Sequence, residues 1–257
     1  MSDIIKYDLS SASVSGMMIR IFHRAKEENE FQFACAILPA VRGIPPYGRD
    51  DPLNETERFV RDMVGLINAP LEYMAKIRLG LLAYVRMVES KPVYEELSNI
   101  LRIIAGHRAI PEPFGDLYVG SKRRPPPAKR VVGFLCCQAR GVDEESMAEE
   151  MEGMYDDAVR NAVSHADYFF HDGCFMSDWR RQGNPTRLCN GIPLDELERI
   201  VLRGASFFEA VRNASVHHRK FYTESKLVRA CSEKDGFSGD VWLLADEERG
   251  LYELSGV

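Results

Sequence analysis

The placement of helix breakers between segments of helical apolar period restricts this chain's fold more than any other feature. GMMIRIFHRAKEENEFQFACAILPAV (residues 16–41) mixes apolar and charged residues at helical spacing and closes before Gly43-Ile44-Pro45-Pro46. PLNETERFVRDMVGLI follows, with Asp51-Pro52 and Asn54 as start signals. After Ala69-Pro70 comes LEYMAKIRLGLLAYVRMVES, and Pro92 parts it from VYEELSNILRIIAG, which stops at Gly106. Helices of this length on short connectors predict antiparallel neighbours, hence a bundle.

The character changes over residues 107–130. AIPEPFGDLYVGSKRRPPPAKR holds five prolines and a basic run of Lys122, Arg123, Arg124, Lys129 and Arg130, which reads as a linker or loop. Such a run is ordinarily a solvated surface, and it is also a candidate contact for a phosphate backbone. Beyond it, VVGFLCCQAR predicts a short buried helix broken by Gly141. VDEESMAEEMEGMYDDAVRNAVSHADYFF predicts one long helix with acids at its positive end. HDGCFMSDWRRQGNPTRLCNG carries turn signals and reads as a loop or irregular hairpin. Pro193 fits the first turn of a helix running through HHRKFYTESKLV, and VWLLADEERGLYELSG alternates like a hairpin. The expectation is a mostly α helical bundle with a small C-terminal β-hairpin. It divides into an N-terminal helical region (1–106), the proline-rich basic segment (107–130) and a motif-bearing region (131–257), or forms one continuous domain.

Composition limits the function classes. With 45% hydrophobic and 28% charged residues, the 257-residue chain can bury a real core. A formal charge of -6 argues against a protein that coats nucleic acid non-specifically, while leaving room for a local basic patch. MSDIIKYDLSS has no basic flank or apolar run of a secretory signal, and LGLLAYV is soon closed by Arg86, so no membrane span is expected. The six cysteines form no C-x-x-C pair, which predicts reduced thiols in a cytoplasmic protein and no metal site or cofactor.

One sequence echo bears on chemistry. DAVRNAVSH (residues 157–165) returns as EAVRNASVH (residues 209–217), each with Arg-Asn and then His. The flanks differ, so the echo reads as convergence on small helix-compatible residues rather than duplication. On a helical wheel, Met147, Met151, Tyr155, Ala158, Ala162 and Phe169 form the first stripe, with His165 at its edge and Asn161 beside it. The second stripe is Leu197, Val201, Phe208, Val211, Ser215 and Tyr222; His217 points away from it and His218 lies near it. Arg160 and His165 are turned about 140° apart on a regular helix, so they share a site only through a distortion, a long reach or a second chain. The bland alternative pairs Arg160 with Asp156 and leaves His165 structural.

Arg160, Asn161 and His165, followed by Ala166-Asp167-Tyr168, resemble the motif of the HEPN superfamily (higher eukaryote and prokaryote nucleotide-binding). The resemblance covers about a tenth of the chain. It implies a helical bundle that pairs as a homodimer, with two motifs facing each other. It also implies metal-independent endoribonuclease activity of a toxin-like kind on RNA, and it leaves any cognate inhibitor unidentified. In that chemistry a ribose 2′-hydroxyl attacks the adjacent phosphate. His165 would move the proton, Arg160 would neutralise charge on the phosphate oxygens, and Asn161 would orient them.

Two other readings compete. A non-catalytic helical protein would bind nucleic acid or a protein partner through the basic segment and HHRKFYTESK. A metal site would take His165, Asp167, His171 and Asp172, which cannot converge on a continuous helix.

Overall fold

Met18, Ile21, Phe22 and Ala25 recur at three- and four-residue spacing along α1 (Ala12–Glu28), and all four are fully buried. The computed structural model describes residues 12–38, 52–118, 125–177, 191–232, 237–246 and 251–256. Asn29 divides the first predicted segment in two. Its side-chain oxygen accepts from the Gln32 N–H at 3.0 Å and so caps α2 (Glu30–Ile37). α3 (Pro52–Ile67), α4 (Tyr73–Val88) and α5 (Lys91–Ile104) lie between the breakers that predict them. In α5, Val93, Leu97, Ile100, Leu101 and Ile104 are buried at helical period.

The second half holds α6 (Ala128–Gly141), α7 (Glu145–Met154), α8 (Asp157–Ser164) and α9 (Leu194–Arg219). α9 has 26 residues, and at the α-helical rise this is about 39 Å of spine. It packs against α1, α4, α5 and α7, and α5 also meets α1, α2 and α6. A single apolar cluster runs from Val14 on α1 to Leu243 in the C-terminal sheet. The second predicted stripe is realised along α9 and just beyond it. Leu197, Val201, Phe208, Val211, Ser215 and Tyr222 are all buried, as is His218, while His217 is exposed.

Two contacts fix helices in place. Glu144, 3% exposed, takes Arg20 Nη2 at 3.1 Å and Arg24 Nη1 at 3.0 Å, binding α1 to the start of α7. Gly204 lets α9 approach α4, since a Cβ there would stand 2.9 Å from Tyr84 Cδ2.

Several boundaries differ from expectation. The single long helix predicted over residues 142–170 is α7 and α8, with a break at Tyr155-Asp156 and a strand after it. Phe169, assigned to the apolar stripe, is 55% exposed on that strand. Pro193 is the N-cap of α9 rather than a residue of its first turn. Lys129 and Arg130 belong to the first turn of α6, not to a linker.

The strands make two antiparallel sheets. β1 (Tyr168–His171), β2 (Cys174–Ser177) and β3 (Ile192–Pro193) pair in that order. Asp172 and Gly173, with φ of 47° and 73°, make the two-residue turn between β1 and β2. β4 (Lys226–Ser232), β5 (Phe237–Asp246) and β6 (Leu251–Gly256) form the second sheet. The predicted C-terminal hairpin is β5–β6, with Asp246 opposite Leu251. β4 uses Lys226, Leu227 and Val228, which the sequence pattern assigned to the end of a helix.

Candidate active site around α8

α8 exists as a separate helix because of two polar contacts at its start. Asp156 caps it by accepting from the Val159 N–H at 2.8 Å. The buried Tyr84 hydroxyl bridges the break: it donates to Met154 O at 3.1 Å and accepts from the Asp156 N–H at 2.8 Å. Burial pushes the Tyr84 phenol well above its ordinary range and keeps it a neutral donor. An Asp immediately before an apolar-periodic run is the sequence signal for this cap.

Arg160 projects from the middle of α8. Its Nη1 donates to Asn161 Oδ1 at 2.6 Å, and its Nη2 pairs with Glu89 Oε1 at the end of α4. The pairing with Asp156 expected from helical spacing does not form: Asp156 Oδ1 accepts the capping bond, and the guanidinium turns to Glu89 instead. Arg160 Nε is buried with no hydrogen-bond partner among the described residues. Ser164, one turn on, donates to the same Glu89 oxygen at 3.5 Å. Glu89 therefore gathers two residues of α8.

The Arg160 head borders a cavity of about 250 Å³ between α5, α6 and α8. Glu89, Lys91 and Arg160 make its charged end, with Tyr94, Phe114 and Pro126 among its apolar walls. Periodicity and spacing give no hint of this cavity. Its walls come from segments distant in sequence, and the prolines at 125–127 read only as linker.

His165 is the C-cap of α8. Its N–H donates to Asn161 O at 3.0 Å, and its imidazole is exposed with no hydrogen bond to a described residue. It is not among the residues lining the Arg160 cavity. The chain leaves the helix at Ala166, which has φ of 52°, and Asp167 N–H closes the turn on Ala162 O at 2.8 Å. Arg160 and Asn161 are thus brought together through their side chains, while His165 joins them only through backbone.

Of the basic residues, Lys129 is exposed and pairs with Asp157 Oδ2 at 3.1 Å, and Arg130 is exposed. Lys122, Arg123 and Arg124 lie outside the described residues. The second copy of the echo has a parallel arrangement. Arg212 donates to Asn213 Oδ1 at 3.1 Å, to Glu209 at 2.8 Å and to Glu57 on α3 at 2.9 Å. In both copies the Arg pairs with the next Asn and reaches a carboxylate outside its own helix.

Among the described residues, no group of three or more His, Cys, Asp and Glu side chains converges as a metal site would require. His171 pairs instead with its neighbour Asp172 at 3.1 Å, on the exposed turn between β1 and β2. Burial pushes the Cys35 and Cys136 thiols up to about 11, which removes thiolate character near neutral pH. No helix of the described residues is long and apolar enough to cross a membrane. Comparison with family models, curated proteins and solved structures found no match to this chain.

Proposed function

We propose that the chain is a HEPN-like, metal-independent endoribonuclease that works in the cytoplasm as a homodimer. The carrying observation is the state of His165: an imidazole exposed at the end of α8, hydrogen-bonded to no described side chain, on the helix that holds Arg160 at a cavity. An imidazole nitrogen can take a proton or give one in general acid–base catalysis. In the reaction the ribose 2′-oxygen bonds to phosphorus and the bond from phosphorus to the 5′-oxygen breaks. The products are a 2′,3′-cyclic phosphate and a 5′-hydroxyl. His165 takes the 2′-hydroxyl proton or delivers one to the departing 5′-oxygen. Arg160, oriented by Asn161, spreads the charge that builds on the phosphate oxygens. One chain leaves His165 outside the Arg160 cavity, and a facing copy supplies the missing partner.

The test is cleavage of a labelled RNA by purified protein in EDTA. His165→Ala is expected to lower the rate by about a hundredfold or more, the usual size of a general acid-base contribution, with unfolding unchanged. Undiminished cleavage by that variant removes His165 from the mechanism. Toxicity on expression, relieved by the same substitution, is the expected cellular counterpart.

A second reading is favoured by the ion pair between Arg160 and Glu89, which occupies the guanidinium within the chain. On that reading the protein holds RNA without cutting it. Retention is then steeply salt-dependent and is lost when Lys122, Arg123 and Arg124 are changed to Ala.

A further inference from the structure

We propose that the cavity between α5, α6 and α8 binds a small aromatic phosphate monoester, whether or not the chain cleaves RNA. Lys91, Arg160 and Glu89 line the charged end, and Glu95 pairs with Lys91 beside it. Arg160 borders this end with its guanidinium, whose Nη1 holds Asn161 and Nη2 holds Glu89, while Nε is covered by protein and has no hydrogen-bond partner among the described residues. Lys91 is exposed; it holds the half-buried Glu95 Oε1 at 3.1 Å and also meets Tyr118, which leaves one of its three ammonium protons for a ligand.

Two helices also begin at this cavity. Lys91 opens α5 and Ala128 opens α6, and both residues line it. Neither N-cap, Ser90 or Pro127, gives its helix a side-chain hydrogen bond. Pro92 removes one first-turn N–H from α5 and Arg130 N–H is held by Pro127 O at 2.9 Å, so the helices add chiefly their positive dipole ends to the field of Lys91 and Arg160.

The opposite walls suit a flat ring. Tyr94 donates its hydroxyl to Val88 O at 2.8 Å, so it offers the cavity its ring. Phe114 is 2% exposed and is held edge-on by Phe134 at a centroid distance of 6.0 Å. The volume of about 250 Å³ exceeds the ~150 Å³ that accepts benzene, so one ring with one phosphate has room.

Phenyl phosphate is the probe, titrated into the full-length protein by calorimetry and by amide chemical shifts. The expected result is saturable binding at one site per chain. Benzoate and inorganic phosphate are each expected to bind at least about tenfold more weakly, since each lacks part of the paired chemistry. Arg160→Gln and Lys91→Gln are each expected to weaken phenyl phosphate by about tenfold. Ala128→Trp, which puts an indole into the cavity lining, abolishes binding. If a variant does not fold, the three ligands compared on the unaltered protein decide. Absence of saturation at millimolar phenyl phosphate overturns the proposal, as does benzoate binding equally well. Binding in a protein that cleaves no RNA sinks the nuclease reading and leaves this one; cleavage without binding does the reverse.

Discussion

Gly106, Asp143 and Ala166 occupy the same place in three helix ends, after α5, α6 and α8. In each, the following N–H reaches back to a carbonyl in the last turn: His107 to Arg102 O at 2.8 Å, Glu144 to Ala139 O at 2.9 Å and Asp167 to Ala162 O at 2.8 Å. The left-handed φ this motif demands is free for glycine, tolerable for aspartate and strained for alanine. Ala166→Gly is therefore expected to raise stability by about 0.5–1 kcal/mol, measured by urea unfolding. A fall would show that the turn beside His165 is held by contacts the backbone does not reveal. Tyr84→Phe acts in the other direction. It strips the partners from Met154 O and the Asp156 N–H at a buried junction, and a loss of about 2–3 kcal/mol is expected for two orphaned groups.

His218 is a residue whose burial has a consequence for pH. It is 1% exposed, its Nδ1 lies 2.8 Å from Ala214 O, and Phe22 and Phe33 pack on its ring. A ring nitrogen facing a carbonyl carries the proton, so the neutral tautomer is fixed. Burial lowers its pKa below the ordinary histidine value, and His217, Lys26 and His23 push the same way. The unfolded chain then binds this proton more readily than the folded one. The contribution to stability is complete above the unfolded value of about 6.5 and declines as pH falls below it toward the depressed folded value. Urea unfolding at about pH 8 and about pH 5 is expected to show a smaller pH effect in His218→Gln than in the unaltered protein. Equal slopes would mean that His218 titrates normally in the fold.

At the scale of elements, two glycines separate close packing that can yield from packing that cannot. A Cβ at Gly204 would press against the buried ring of Tyr84, part of the α4–α9 interface. A Cβ at Gly153 on α7 would meet the Arg203 guanidinium, which can swing away at the expense of its contact with Glu150 at 3.1 Å. Alanine gains up to about 1 kcal/mol of helix propensity at either place. Thermal unfolding is expected to show Gly204→Ala destabilised by about 1–3 kcal/mol and Gly153→Ala close to neutral. The α7–α8 division belongs to this scale too. Met147 and Met151 keep the expected stripe, but α8 takes its own direction after Asp156 and the strand that follows exposes Phe169.

For the whole molecule, the proposed nuclease depends on association. The expected solution mass is near twice the 29.2 kDa of one chain. Arg160→Gln and His165→Ala, each inactive alone, are expected to restore about a quarter of the activity when mixed and allowed to exchange. Half the dimers would be mixed, and each would hold one intact site of two. No recovery on mixing would place both groups in one chain or neither in the mechanism.

The amino-acid sequence by itself determined the helical bundle. Local breakers, caps and the 3.6-residue apolar period act over a few turns, and the buried stripe of α9 with exposed His217 beside buried His218 is legible from period alone. The β5–β6 hairpin is legible for the same reason, from alternation about a turn. Only the tertiary structure decided that Arg160 takes Glu89 as its partner, that Tyr84 bridges the break before α8, and that α5, α6 and α8 enclose a cavity. Those contacts join residues distant along the chain. They depend on how helix faces meet in space, which no local pattern specifies.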